Sequence, residues 1–154
     1  MAVQPIPQDQ DAAIPYLAIQ GAGNAIEFYK RAFGARELSR VSMPGGAVGH
    51  AEMVIGNARF MIADEFPDFG FLAPPSIGGT PVTIHVYLED VDSFAKHAIA
   101  EGLKELRGIE THFYGDRGGK YQDPFGHIWS FSTHVEDVSN EEIERRAANM
   151  FGGG

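Results

Sequence analysis

The strongest constraint in this chain is an internal repeat. IPYLAIQGAGNAIEFYKRAFGA, from Ile14, and TIHVYLEDVDSFAKHAIAEGL, from Thr83, pass through the same sequence of elements. Each opens on a short alternating strand, crosses a small turn and continues as an amphipathic helix that ends at a glycine. In the first copy Pro15, Leu17 and Ile19 share one strand face, and Ile14, Tyr16 and Ala18 the other. In the second, Ile84, Val86 and Leu88 are apolar while Thr83, His85 and Tyr87 point oppositely. A period of two marks a strand buried on one side.

The helices carry their own punctuation. Asn24, with Glu27 three residues on, reads as a cap and its partner, and Gly34 sits where a left-handed C-cap belongs. Ile26, Tyr29, Ala32 and Phe33 form the inner stripe. In the second helix Val91, Phe94, Ala95, Ala98 and Ile99 hold helical spacing between Asp90 and Gly102. Three strand-like pieces follow each helix. They run Glu37 to Met43, Val48 to Ile55 and Ala58 to Ala63, with Gly56-Asn57 as a hairpin turn, then about Glu105 to Phe113, Gly119 to Gln122 and His127 to His134. The unit is therefore β-α-β-β-β, used twice. We expect one α+β domain over residues 1–136, with modules 11–66 and 80–136. A Pro-, Gly- and Phe-rich linker, 64–80, joins them. Residues 137–154 hold a C-terminal helix, with Ser139 and Glu142 as a capping box, and a glycine tail.

Neither module can bury a full core alone, since each sheet shows one face to its own helix and needs cover on the other. Pairing the two sheets would give an open, cup-like barrel with a cleft between them. The 154 residues suit one domain of this kind, and 44% hydrophobic with 21% charged residues are globular values. No stretch nears the roughly 20 apolar residues of a membrane span, and MAVQPIPQDQD has no signal-peptide pattern, so a cytoplasmic protein is expected. Without cysteine, any metal would need His, Asp or Glu ligands. A net charge of −9 repels phosphate backbones and anionic lipid, which argues against nucleic acid and membrane partners. Phosphate loop, nucleophile elbow, HExxH and dinucleotide fingerprint are all missing.

Strand alternation nominates the cleft residues. Tyr16 and His85 stand at matching places of the repeat, and Tyr87 follows His85. Ser130, Ser132 and His134 share a last-strand face; Phe60, Ile62 and Asp64 are their expected counterparts. His50 and Glu52, two apart, share a face. Two imidazoles and a carboxylate, His50, Glu52 and His85, suffice for an acid–base pair or for a divalent metal such as Zn, Mn, Ni or Fe. The structural alternative pairs His50 and Glu52 with each other or with Arg59. In the loop from Phe113 to Gly119, Arg117 can hold a carboxylate or phosphate, or else pair with Asp116. Asp123-Pro124-Phe125-Gly126 reads as a turn, Trp129 and Phe131 as core, and Phe66, Phe69 and Phe71 as a ligand cover or a dimer seal.

The combination of PYLAIQGAGNAIEFYKRAFGA, GHAEMVIGNARFMIADE, HVYLEDVD, FYGDRGGKYQDPFGHIWSFSTH and VEDVS resembles the glyoxalase/bleomycin-resistance/dioxygenase (vicinal oxygen chelate) superfamily, in its PhnB-like branch. The resemblance spans about Ala13 to Ser139. It implies paired modules around a small-molecule cleft, usually in a homodimer. It also implies four metal positions, which carry over onto Ile14, Thr83, Phe60 and Ser130, none of them a good divalent-cation ligand. The expectation is thus a small-molecule binder without the usual metal and with no cofactor. Tyr16, Tyr87, Arg117, Ser130 and Phe60 would contact its ligand, beside His50, Glu52 and His85. The alternatives are a metal-dependent lyase, isomerase or dioxygenase using His50, Glu52 and His85 as its catalytic residues, and a structural or partner-binding module.

Overall fold

The computed structural model describes residues 2–8 and 10–152. Its elements are β1 (Tyr16–Ile19), α1 (Ala22–Phe33), β2 (Arg36–Ser42), β3 (Val48–Ile55), β4 (Ala58–Asp64), α2 (Pro74–Ile77), β5 (Thr83–Tyr87), α3 (Val91–Ala100), β6 (Lys104–Thr111), β7 (Asp116–Gln122), β8 (Ile128–His134) and α4 (Asn140–Phe151). The repeat is realised as two four-stranded mixed sheets of one topology, β1-β4-β3-β2 and β5-β8-β7-β6, without a closed barrel. In each the opening strand runs parallel to the last, and the other pairs are antiparallel. The Gly56 turn appears with a positive φ of 59°, and β7 begins at Asp116 rather than Gly119.

The helices are held in register from a distance. α1 begins at Ala22, ahead of the expected Asn24 cap, and takes no side-chain cap from its own segment. Asp64, at the end of β4, does the work instead. One carboxylate oxygen accepts from the N–H groups of Gly21 (3.1 Å) and Ala22 (2.9 Å), and the other from Val48 (2.7 Å). A carboxylate there satisfies orphan donors and meets the positive end of the helix dipole. In the second module Asp90 caps Ser93 as expected, and Thr133 occupies the place of Asp64, accepting from the Val91 N–H at 2.9 Å. Gly34 ends α1 in the left-handed region.

Both helices pack one side into a common core. Tyr29 and Phe33 of α1 pack on Trp129 of β8 at 5.7 and 5.1 Å between centroids, and Phe33 stacks on Phe94 of α3. Phe60 of β4 meets Trp129 edge-on at 5.4 Å. Each such ring buries on the order of 150–250 Å², so these contacts dominate the cohesion of the modules. One carboxylate sits among them. Asp123, in the DPFG turn, accepts from the Tyr29 hydroxyl, Trp129 Nε1 (2.9 Å) and the N–H groups of Phe125 and His127. Burial, and then the Asp123 charge, push the Tyr29 hydroxyl pKa well above its usual value.

The Phe60–Trp129 contact decides the architecture. Each ring projects from the helix-bearing face of its own sheet, so those two faces are pressed together. The opposite faces look outward, away from each other. The chain builds both walls of a cup, but does not set them opposite one another.

α4 stands apart from this core. Ser139 caps it, but Glu142 turns to Arg145 and Arg146 instead of closing the box. Arg146 ties the helix to the Phe113 carbonyl at 2.9 Å and to Glu136, and Met150 and Phe151 stay exposed. Among the described residues no helix is long and apolar enough to cross a membrane.

Candidate ligand-binding faces

Laterally paired residues on neighbouring strands share a face, so the register assigns the outer side chains directly. On the first sheet one row runs Tyr16, Met61, Glu52, Ser39, flanked by His50 and Arg59. These groups form a chain. The Tyr16 hydroxyl hydrogen-bonds His50 Nδ1 at 2.6 Å, His50 Nε2 lies 3.6 Å from Glu52, and Arg59 donates to the other Glu52 oxygen at 2.7 Å. Desolvation raises the Tyr16 hydroxyl pKa, and Phe71 of the linker packs edge-on against its ring. His50 and Glu52 thus make both contacts foreseen for them, with each other and, for Glu52, with Arg59.

On the second sheet one row runs His85, Ser130, Lys120, Arg107 across all four strands. His85 Nδ1 hydrogen-bonds the Ser130 hydroxyl at 2.9 Å. The next row holds Tyr87, Ser132, Gly118 and Glu110. Tyr87 donates to Asp116 at 2.8 Å, and His134 bridges Asp116 (2.8 Å) and Asp137 (2.7 Å). Those two carboxylates, Asp116 foremost, raise the His134 pKa. The Asp116 hydrogen bond raises that of Tyr87.

Two expected residues lie elsewhere. Phe60 is buried on the helix-bearing face, between Tyr29 and Trp129. Tyr16 pairs with Met61 as His85 pairs with Ser130, so the counterpart of Ser130 is Met61, one residue on. Arg117 also points to the helix-bearing side. It clamps both oxygens of Asp92 on α3, at 2.8 and 2.9 Å, rather than meeting Asp116. The trio His50, Glu52 and His85 is divided between two outward faces. Among the described residues no three His, Asp or Glu side chains converge as a metal group. With Met61 in place of Phe60, the positions carried over from the superfamily offer a thioether, two hydroxyls and the alkyl chain of Ile14. That donor set does not fit the superfamily's cation.

Within one chain the two openings of the repeat share a cavity of about 300 Å³. It is lined by Pro15, Tyr16, Leu17, Thr80, Val82, Ile84 and His127. Sequence reasoning named His134 but not its pairing with Asp116, passed over Arg107, and gave Lys120 no place on a face. Lys120 carried a signal, since it alternates with Gly118 and Gln122 on a strand next to Ser130, but only the β7–β8 register sets it beside His85.

Comparison with known proteins follows the same outline. The model of the Glyoxalase/Bleomycin resistance protein/Dioxygenase superfamily matches residues 16–131. An uncharacterized protein of Mycobacterium bovis is 39% identical over 138 residues, 88% of this chain and 91% of that one. Among solved structures, TioX from Micromonospora sp. ML1 is similar at TM-score 0.65 and 22% identity, covering 84% of this chain and 100% of its own. A PhnB protein from Bacillus cereus is similar at TM-score 0.60 and 20% identity, covering 80% and 99%. At those identities the likeness is one of fold.

Proposed function

Because the chain belongs to the Glyoxalase/Bleomycin resistance protein/Dioxygenase superfamily, we propose that it is a small-molecule-binding protein whose cleft is walled by two copies. The outer face of the first sheet in one copy opposes the outer face of the second sheet in the other. The observation that carries this reading is the Phe60–Trp129 contact, which turns the two polar walls of a single chain away from each other. A small-molecule site needs walls on more than one side, because most of the ligand's surface must leave water. The outer faces also expose Tyr16 (46%), Val41 (55%) and Tyr87 (60%), apolar surface that a second copy would cover. A two-fold dimer repeats this pairing, giving two equal clefts. The uncharged hydroxyl and thioether groups at the superfamily's metal positions favour holding a ligand by hydrogen bonds and apolar contact.

Complementation tests this arrangement. Tyr16→Ala and Tyr87→Ala each damage both clefts of their own homodimer. An equimolar mixture, unfolded and refolded together, regains about a quarter of the sites, because each mixed dimer keeps one cleft with neither substitution. The readout is calorimetry with whichever ligand a panel of glycopeptides and aromatic metabolites identifies. No recovery, or a monomer by sedimentation that binds with full affinity, overturns the shared cleft. Dialysis against EDTA is expected to leave folding and binding unchanged; a loss of either would revive a metal held by His50, Glu52 and His85 across two copies.

A second reading rests on the linked Glu52, His50 and Tyr16. This chain is built to move a proton at the Tyr16 oxygen or at His50. It predicts solvent deuterium incorporated into a bound carbonyl compound, lost in His50→Gln.

A further inference from the structure

Most cations of this acidic chain are neutralised. Lys30, Arg31, Arg40, Arg59, Arg117, Arg145 and Arg146 each reach a carboxylate. Arg36, Lys96, Lys104, Arg107 and Lys120 form no ion pair among the described residues, and their placement is uneven. Lys96 is on α3. The other four stand on the outer faces: Arg36 opposite Val54 on the first sheet, and on the second Lys104 opposite Gln122 and Arg107 opposite Lys120.

The carboxylates of these faces offset them only in part. Glu52 is matched by Arg59, while Asp116 and Asp137 share the single imidazole of His134, away from Lys120 and Arg107. Glu110 stands at the edge, 3.9 Å from His112. The row His85, Ser130, Lys120, Arg107 thus brings two cations and no carboxylate into the shared cleft, in a chain whose net charge is −9. Lys120 is already half-buried and lies in one row with Arg107, Ser130 and His85. Beside it the wall is bare, since a Cβ on Gly118 would meet Ser132 Oγ at 2.2 Å.

We propose that the cleft takes a small organic oxyanion, a carboxylate or phosphate ester, with its charged end on Lys120 and Arg107 and a hydrogen bond from Ser130 or His85. This inference rests on the shared cleft and names the chemistry of its occupant. An ammonium and a guanidinium in a partly desolvated groove give charge-assisted hydrogen bonds, stronger than neutral ones. Positive potential in a cleft of an otherwise anionic surface also draws anions to that place. Arg117, the basic residue conspicuous in the sequence, is spent on Asp92; the free cations lie on the opposite side of the same strands.

The test is calorimetric titration of the whole chain with phenyl phosphate, benzoate and neutral benzyl alcohol at low salt. Saturable binding of the two anions is expected, falling as sodium chloride is added. Lys120→Gln should weaken it by about tenfold or more, Arg107→Gln should also weaken it, and Lys120→Arg should restore most of the loss. Lys96→Gln, with the same charge change on α3, should bind as the parent does. No saturable binding of either anion, or equal weakening by Lys96→Gln and Lys120→Gln, overturns the inference. Benzyl alcohol binding as tightly as benzoate also overturns it and leaves the shared cleft standing. Anion binding without recovery in the Tyr16→Ala and Tyr87→Ala mixture does the reverse: the oxyanion site holds and the two-copy cleft falls.

Discussion

The two faces of each sheet are made from alternate residues of the same strands, yet they obey different rules. The helix-bearing faces meet in a core of rings, where the buried carboxylate of Asp123 has four donors. On the outer faces phenols, imidazoles and hydroxyls form short chains, while Lys104, Arg107 and Lys120 reach no carboxylate among the described residues. A buried polar group without a partner destabilises the fold, whereas a half-exposed one stays available. The difference teaches that cohesion and recognition were placed on opposite sides of one backbone, so each can be altered separately.

Substitutions on the helix-bearing faces should do the greatest damage. Trp129→Ala removes the ring shared by Tyr29, Phe33 and Phe60, and should cost about 3–5 kcal/mol in chemical denaturation. A cost below about 1 kcal/mol would mean that the modules do not cohere through this seam. Asp123→Ala strands the Tyr29 hydroxyl and the Trp129 N–H, and about 3 kcal/mol is expected. Asp64→Ala uncaps α1 from the far end of its module and should cost about 1–2 kcal/mol, while Asn24→Ala should cost far less. Equal losses would restore the local cap.

The outer faces should be quieter. His134 is held between Asp116 and Asp137, so its folded pKa lies above its unfolded one. The stability it contributes is complete below the unfolded value of about 6.5 and fades as pH rises through the raised folded value. Denaturation midpoints measured from pH 6 upward should fall in the parent and stay flatter in His134→Gln. Lys120→Gln and Arg107→Gln should shift stability least, within about 0.5 kcal/mol, although they weaken anion binding most. A large stability loss at either would make these cations part of the scaffold and erase the contrast.

Much of this was legible in the residues. Gly34, Asp90 and Ser139 mark helix ends because their partners lie within a few residues. Asn24 misled for the opposite reason: the cap of α1 comes from Asp64, which spacing along the helix does not reveal. Phe60 went to the wrong face because Phe60, Met61, Ile62 and Ala63 run apolar without a break, so alternation has no polar residue to set its phase. Arg117 reads as a ligand clamp or as a partner of Asp116 in a glycine-rich loop, yet β7 begins at Asp116 and brings it over α3 to Asp92.

By itself the sequence determined the two modules, their strands and helices, and the alternation of side chains along most strands. These follow from periods of two and 3.6 and from turn chemistry carried by neighbouring residues. Only the tertiary structure decided which faces meet. That choice depends on rings far apart in the chain, Tyr29, Phe60 and Trp129, gaining more by excluding water together than the polar faces would gain by closing on each other. Once they meet, the outer walls must point apart, and Lys120 and Arg107 are left where no carboxylate of the same chain reaches them.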